Sequence, residues 1–285
     1  MTTLYEEVRA ALREPGFRPR KRLGQNFLIR ADVIDAIVRL LDLAPGDEVL
    51  EIGPGLGFLT RRLLERGARV WAVEVDPFLV RRLRASEIGA RPDLEIVAGD
   101  ILKVSFADLL PPRPVKVAGN LPYSISTPVL FRLIEHRARF SRLVLMLQKE
   151  VADRIASGPG TKRYGALSVL CQAYLRIAAR IPVAPEAFFP RPKVRSAILS
   201  IEPHRRPVLR PEESERFRAV VRACFSERRK TIANNLARWL GIGRSEIEDV
   251  LRAAAVNPGR RAETLSVEEF VGLTRALAAS GRMGA

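Results

Sequence analysis

Cysteine and histidine are almost missing from the 285 residues: the chain has Cys171, Cys224, His136 and His204 and no others. None of the four lies within metal-ligand spacing of another, so the sequence offers no structural metal site. It also lacks the closely spaced His/Cys set, with its Glu, that a zinc deaminase needs. A cytosolic thiol state follows as the expectation. No apolar run approaches the roughly 20 residues of a membrane helix. The first residues, MTTLYEEVRAAL, are acidic and amphipathic and do not read as a secretory signal. The expected setting is cytoplasmic, with no membrane partner. Internal repeats and low-complexity segments are also absent. With 47% hydrophobic and 28% charged residues the chain can bury a large domain and a small one.

Negative charge is the other deficit. Asp plus Glu is 32 against 48 Lys plus Arg, a net charge of +16, and only seven of the 48 are Lys. Residues 1–30 carry +4 and residues 205–285 carry +6. Arg-rich codon usage explains Arg in place of Lys but not the shortage of acids. The excess favours a polyanionic partner, nucleic acid or an anionic membrane surface.

Residues 1–30 are punctuated by Pro15, Gly16 and Pro19 and read as a basic arm. DVIDAIVRLLDL (32–43) has a helical period. EVLEIG (48–53), RVWAVEV (69–75), LEIVAG (94–99), VKVAGN (115–120) and RLVLMLQ (142–148) are nearly continuous apolar runs, as expected of strands covered on both faces. Helical stretches near 57–66, 77–86 and 127–137 fall between them, which predicts a parallel sheet of βαβ units. GALSVLCQAYL (165–175) reads as a helix. RIAARIP (176–182) and SAILSIEP (196–203) read as two more strands, antiparallel at a sheet edge. AFFPRPKV between them is too rich in Pro for a strand. PHRRPVLRP (203–211) is a candidate linker. Four helical stretches follow, and Ser245 and Ser266 have the Ser-x-x-Glu spacing of a capping box. The expected organisation is the arm (1–30), an α/β domain (31–204) and a helical domain (205–285).

The sharpest motif is EIGPGLGFLT (51–60), where the first strong strand meets a helix. Gly53, Gly55 and Gly57 let the backbone turn tightly and approach a ligand. Glu74, 17 residues beyond Gly57 at the end of the next strand, can accept both ribose hydroxyls of an adenosine-type cofactor. The spacing is not the dinucleotide fingerprint, and no G-K-[ST] follows. A cofactor without a phosphate chain fits better, and S-adenosyl-L-methionine is the obvious one. GPGTK (158–162) reads as a mobile basic surface loop. Asp100 either bonds an adenine amino group or caps a helix over 101–104.

AGNLPYSIST (118–127) closes the fourth strand. An adenine amino group is a poor nucleophile because its lone pair is delocalised into the ring. The Asn120 side-chain carbonyl and the Leu121 backbone carbonyl can accept its two N–H bonds and favour a pyramidal nitrogen. Pro122 stiffens the loop and holds Leu121 extended. Tyr123 can stack on an extruded base. Alignment and desolvation then carry most of the rate. In AFFPRPKVRS (187–196), Phe188 or Phe189 can cover the base's second face, the other being a core aromatic. Arg191, Lys193 and Arg195 can meet phosphates.

Taken in order, LGQNFL (23–28), EIGPGLG (51–57), Glu74, GD (99–100), NLPY (120–123) and FFPRPKVRS (188–196) resemble the motif series of the rRNA adenine N6-dimethyltransferases, over nearly the whole chain. NPGRRAETLSVEEF (257–270) is similar to the ending of the housekeeping branch that modifies small-subunit (16S) rRNA. The resemblance implies a Rossmann-like class I methyltransferase sheet with helices on both faces, plus a small all-α C-terminal domain. It implies that Asn26 and Leu28 of the arm contact the cofactor and that Gly53, Glu74, Asp100 and Asn120 complete its site. Asn120, Leu121, Pro122, Tyr123 and Phe188 would be the catalytic set. The implied reaction is dimethylation of two adjacent adenosines in the 3′-terminal hairpin, late in assembly, on an assembling 30S subunit. A monomer without metal is expected. The family has a single Phe in F-x-P, aligned with Phe188, so Phe189 is a departure. Two other readings are an RNA-binding assembly factor with a vestigial site and a DNA adenine methyltransferase. The intact NLPY argues against the first, and the lack of a target-recognition domain argues against the second.

Overall fold

The computed structural model describes residues 3–15, 17, 24–206 and 208–282. Gly16, Pro19 and Leu23 of the sequence reading lie outside them. The chain forms two compact units, one of residues 1–152 and 177–203, the other of 153–176 and 204–285. Segment 153–176 thus clusters with the helical unit, although the sequence placed it in the α/β domain.

The first unit begins with α1 (Leu4–Arg13), β1 (Phe27–Leu28) and α2 (Ala31–Leu41). Four βα repeats follow: β2 (Glu48–Ile52), α3 (Phe58–Glu65), β3 (Arg69–Glu74), α4 (Pro77–Arg84), β4 (Leu94–Ala98), α5 (Phe106–Leu109), β5 (Val115–Asn120) and α6 (Ser126–Glu135). After β6 (Phe140–Gln148) the chain passes through α7 (Lys149–Ile155) into the second unit, which holds α8 (Ala166–Gln172), and returns through β7 (Leu175–Val183) to β8 (Phe188–Phe189) and β9 (Ser196–Pro203). The main sheet has the order β4-β3-β2-β5-β6-β9-β7. Its first five strands are parallel and β9 runs antiparallel to β6. Strands β2 and β3 and the C-terminal part of β6 are buried almost throughout, which is why their sequences are continuous apolar runs. β7 forms the edge, and Arg176, Arg180 and Pro182 on it blunt that edge against pairing. Helix α2 packs on β5, β6 and β9, α3 on β3, and α4 on β3 and β4.

The arm departs from the sequence reading. Residues 4–13 are a helix, because Thr3 and Glu6 make a capping box and Val8 and Ala11 are fully buried. Ion pairs from Glu7 to Arg61 (3.2 Å) and from Glu14 to Arg82 hold it to α3 and α4. Phe188 and Phe189 do form a strand, two residues long, paired antiparallel with β1. Pro190 follows immediately and ends it, so the proline limits the strand without preventing it.

The second unit carries α8 and then α9 (Ser214–Cys224), α10 (Ile232–Leu240), α11 (Arg244–Ala253) and α12 (Val267–Ala279) around buried Phe217, Leu236, Leu251 and Phe270. Ser266 makes the expected capping box with Glu269. Ser245 does not cap, because the cap of α11 falls two residues earlier at Gly243, and Glu248 is engaged by Arg244 and Arg252. GPGTK is tied down instead of free: the Gly160 N–H donates to the Glu263 carbonyl (2.7 Å) and Arg228 donates to the Lys162 carbonyl. Cys171 and Cys224 are free thiols, and burial pushes each up to about 12.

Candidate active site

The strand order reverses between β2 and β5, with β3 on one side and β6 on the other. A crevice forms there at the C-terminal ends of the strands. After Ile52 the chain turns through Gly53, Gly55 and Gly57 at φ of 69°, 60° and 83°. Only glycine adopts that region without strain. A Cβ on Gly57 would lie 2.7 Å from Leu83 Cδ1 and 2.9 Å from Ile88 Cδ1, so α4 and the turn that follows it close over this glycine. Gly57→Ala is therefore expected to destabilise the chain by about 1–3 kcal/mol. Urea unfolding measures it, and a loss below about 0.5 kcal/mol would contradict the packing argument.

Each wall residue is fixed by a specific bond. Glu74 ends β3 and is 6% exposed; its Oε2 accepts from the Gly55 N–H (3.2 Å) and its Oε1 from the Asp76 N–H (2.9 Å). Burial raises its carboxyl above the usual range, while the same two N–H groups pull it down. Asp100 follows β4, and its Oδ1 accepts from the Leu102 N–H (2.9 Å). Residues 101–104 form turns here instead of the helix that the capping alternative required, so this bond is a local Asp turn.

Segment 24–28 comes over the other wall. A Cβ on Gly24 would sit 3.4 Å from Pro122 Cβ. The Asn26 side-chain amide donates to the Gly24 carbonyl (3.0 Å), and the Asn120 amide Nδ2 donates to the Asn26 carbonyl (2.9 Å). That bond orients the Asn120 side chain and leaves Oδ1 as its acceptor. The Leu121 N–H donates to the Met146 carbonyl (3.2 Å), and among the described residues its own carbonyl accepts nothing. The half-buried Tyr123 shares a 2.7 Å hydrogen bond with the buried Ser196 hydroxyl. Burial holds its phenol above the ordinary value, with Ser196 pulling the other way.

Asn26, Leu28, Gly53, Glu74 and Asp100 line the resulting cavity, as do the four residues 120–123. Phe188 does not: it is 3% exposed, opposite Leu28 in the β1–β8 pair, and packed in the core. In this structure Phe188 backs the wall through Leu28. Sequence reasoning passed over Glu51. It lies in the middle of an apolar strand, lines the cavity at 1% exposure, and its Oε2 has no partner. Its signal was an acid inside a run that should be wholly buried. Burial, with Glu74 nearby, raises it to about 8. No group of three or more His, Cys, Asp or Glu among the described residues is placed to hold a metal.

This fold, with a cavity at its switch point, is that of a Rossmann-like methyltransferase. Residues 16–278 match the family model described as ribosomal RNA adenine dimethylase. The chain is 47% identical over 274 residues to ribosomal RNA small subunit methyltransferase A of Geobacter metallireducens, covering 95% of this chain and 99% of the relative. A dimethyladenosine transferase from Plasmodium falciparum superposes with a TM-score of 0.75 at 26% identity, covering 90% and 98% of the two chains. The 23S rRNA methyltransferase ErmE gives 0.69 at 29%, covering 89% and 100%. The chain belongs to the ribosomal RNA adenine dimethylase family.

Proposed function

We propose that this enzyme uses S-adenosyl-L-methionine to dimethylate the N6 amino groups of two adjacent adenosines in the 3′-terminal hairpin of small-subunit rRNA, late in ribosome assembly. The observation that carries the reading is the orientation of Asn120. With Nδ2 committed to the Asn26 carbonyl, Oδ1 and the free Leu121 carbonyl form a pair of acceptors for the two N–H bonds of an adenine amino group.

The pocket residues fit the cofactor. The orphaned Glu51 Oε2 is an acceptor for the cationic amino group of an amino acid, Glu74 serves ribose hydroxyls, and Asp100 serves an adenine amino group. Asn26, Leu28 and Gly53 supply the close wall around it. When bound, S-adenosyl-L-methionine supplies an electrophilic methyl group on a sulfonium. Asn120 and Leu121 hold the target nitrogen pyramidal with its lone pair directed inward. Pro122 stiffens their loop, and Tyr123, steadied by Ser196, covers one face of the base. The proton released from nitrogen leaves to solvent. A monomethylated amine retains one N–H, so one acceptor of the pair still holds it for the second transfer.

The helical unit, whose residues 205–285 carry a net +6, positions the RNA. We place the enzyme in the cytoplasm as a monomer acting on a partly assembled 30S subunit; no described helix is long and apolar enough to cross a membrane. The test is transfer of labelled methyl groups to small subunits that lack the modification, followed by digestion to nucleosides. Dimethyladenosine at two adjacent positions is expected. Cofactor binding without any transfer would overturn the reading.

A further inference from the structure

Tyr5, on α1, is 40% exposed, and its ring meets Phe189 edge-on with centroids 5.4 Å apart and an angle of 81°. The Arg9 guanidinium lies over the same ring, 5.8 Å from its centroid. The pair is rigidly mounted. Val8 and Ala11 sink α1 into the core, and Glu7 and Glu14 tie it to Arg61 and Arg82. Phe189 is in register with Phe27, which lines the cavity and lies against Gly55. The exposed Tyr5 and the partly buried Phe189 therefore sit one strand pair away from the cavity wall.

Cations outnumber acids in these two segments. From Phe189 the chain runs into exposed Arg191, Lys193 and Arg195. Arg191 is neutralised by Glu186, but Arg9, Lys193 and Arg195 have no ion-pair partner among the described residues. Of the acids of α1, Glu7 pairs with Arg61, and Glu6 is held in the Thr3 cap, where it keeps its charge. An aromatic pair with Arg9 over one ring and the unpaired cations Lys193 and Arg195 farther along the same chain segment has the groups that single-stranded nucleic acid uses, bases on rings and phosphates on cations. It also gives a role to Phe189, which is less buried than Phe188 beside it.

We propose that Tyr5 and Phe189 form a stacking platform for an unpaired nucleotide beside the target adenosine, with Arg9, Lys193 and Arg195 on its phosphates. The proposal rests on the RNA-methylating reading above. Helix α1 thereby belongs to the RNA-binding face.

The test uses the full chain and a fluorescent RNA hairpin with an unpaired loop. Tyr5→Leu keeps an apolar contact with Phe189 but has no π face; Tyr5→Trp enlarges the face. Cofactor affinity, measured alongside, reports that each variant is folded. Tyr5→Leu is expected to weaken RNA binding at least about fivefold, and Tyr5→Trp to match or exceed the wild type. Arg9→Glu is expected to weaken it and to lower the salt slope by about one. Tyr5→Leu binding within twofold of the wild type would overturn the platform, as would equal losses for Leu and Trp, which mark a structural or protein-docking face. Methyl transfer by the wild type to small subunits separates the two claims. If it occurs while Tyr5→Leu binds normally, the platform alone falls; if it does not occur, the reading falls and the platform with it.

Discussion

Asn120→Ala is expected to lower methyl transfer by about 10²–10³-fold while RNA affinity stays within about twofold. The magnitude is that of removing one preorganised hydrogen-bonding group from the reacting atoms. Asn120 sits at the end of β5 with its amide orientation already decided by the 2.9 Å bond to the Asn26 carbonyl. No reorganisation is needed when a substrate amino group arrives, and alanine leaves that amino group with one acceptor, the Leu121 carbonyl. The loss should appear in kcat with little change in KM for RNA, because the interaction strengthens as nitrogen turns pyramidal. The same substitution frees the Asn26 carbonyl, so cofactor affinity should fall modestly. Asn120→Asp separates the two roles: it keeps acceptor oxygens but cannot donate to Asn26. It should retain more transfer than alanine and lose as much cofactor affinity. Transfer by Asn120→Ala within tenfold of the wild type would rule out the acceptor role.

How much of this was legible beforehand depends on which forces set each element. Strands β2, β3 and β5 and the C-terminal part of β6 are largely buried, and burial alone writes a continuous apolar run that any reader can find; β4, also read as covered on both faces, has no fully buried residue. The glycine turn at 53–57 was equally plain, because left-handed backbone and close approach admit few other residues. The β1–β8 pair was not legible. Two residues have no periodicity, and that strand exists only because Phe27–Leu28 and Phe188–Phe189 meet across more than 150 positions. The same long-range pairing decides which phenylalanine is core, so Phe188 and Phe189 could not be told apart by local sequence. Helix α1 was hidden by the Pro- and Arg-rich stretch behind it, although its capping box and buried Val8 and Ala11 are ordinary helix signals. Segment 153–176 carries a helix that reads alike in either unit; its allegiance lies in tertiary contacts such as the Tyr164 hydroxyl to the Leu265 carbonyl, 2.9 Å.

Glu51 is the residue where stability and function part most clearly. Its carboxyl is 1% exposed, has an unpartnered Oε2, and is raised from 4.5 to about 8, first by burial and then, against the pull of Thr60, by the neighbouring Glu74. The folded chain thus binds a proton that the unfolded chain releases once the pH passes the ordinary carboxylate value. The stabilisation from that proton is fully present below pH 4.5 and is lost as pH rises through about 8. At pH 8 the ionising group costs on the order of 3–5 kcal/mol relative to one that stays neutral. Glu51→Gln keeps the shape and removes the titration. Without cofactor the variant should melt several degrees above the wild type at pH 8, and the two should converge at pH 5. Cofactor binding should move in the opposite direction, weakening about tenfold or more at pH 8, because a cationic amino group then faces an amide instead of a carboxylate. Calorimetry in buffers of different ionisation enthalpy should show the wild type releasing a proton on binding at pH 7, and the variant releasing none. A variant that is no more stable at pH 8 would place Glu51 in contact with solvent; one that binds cofactor as tightly as the wild type would leave the orphaned oxygen with no part in holding the ligand.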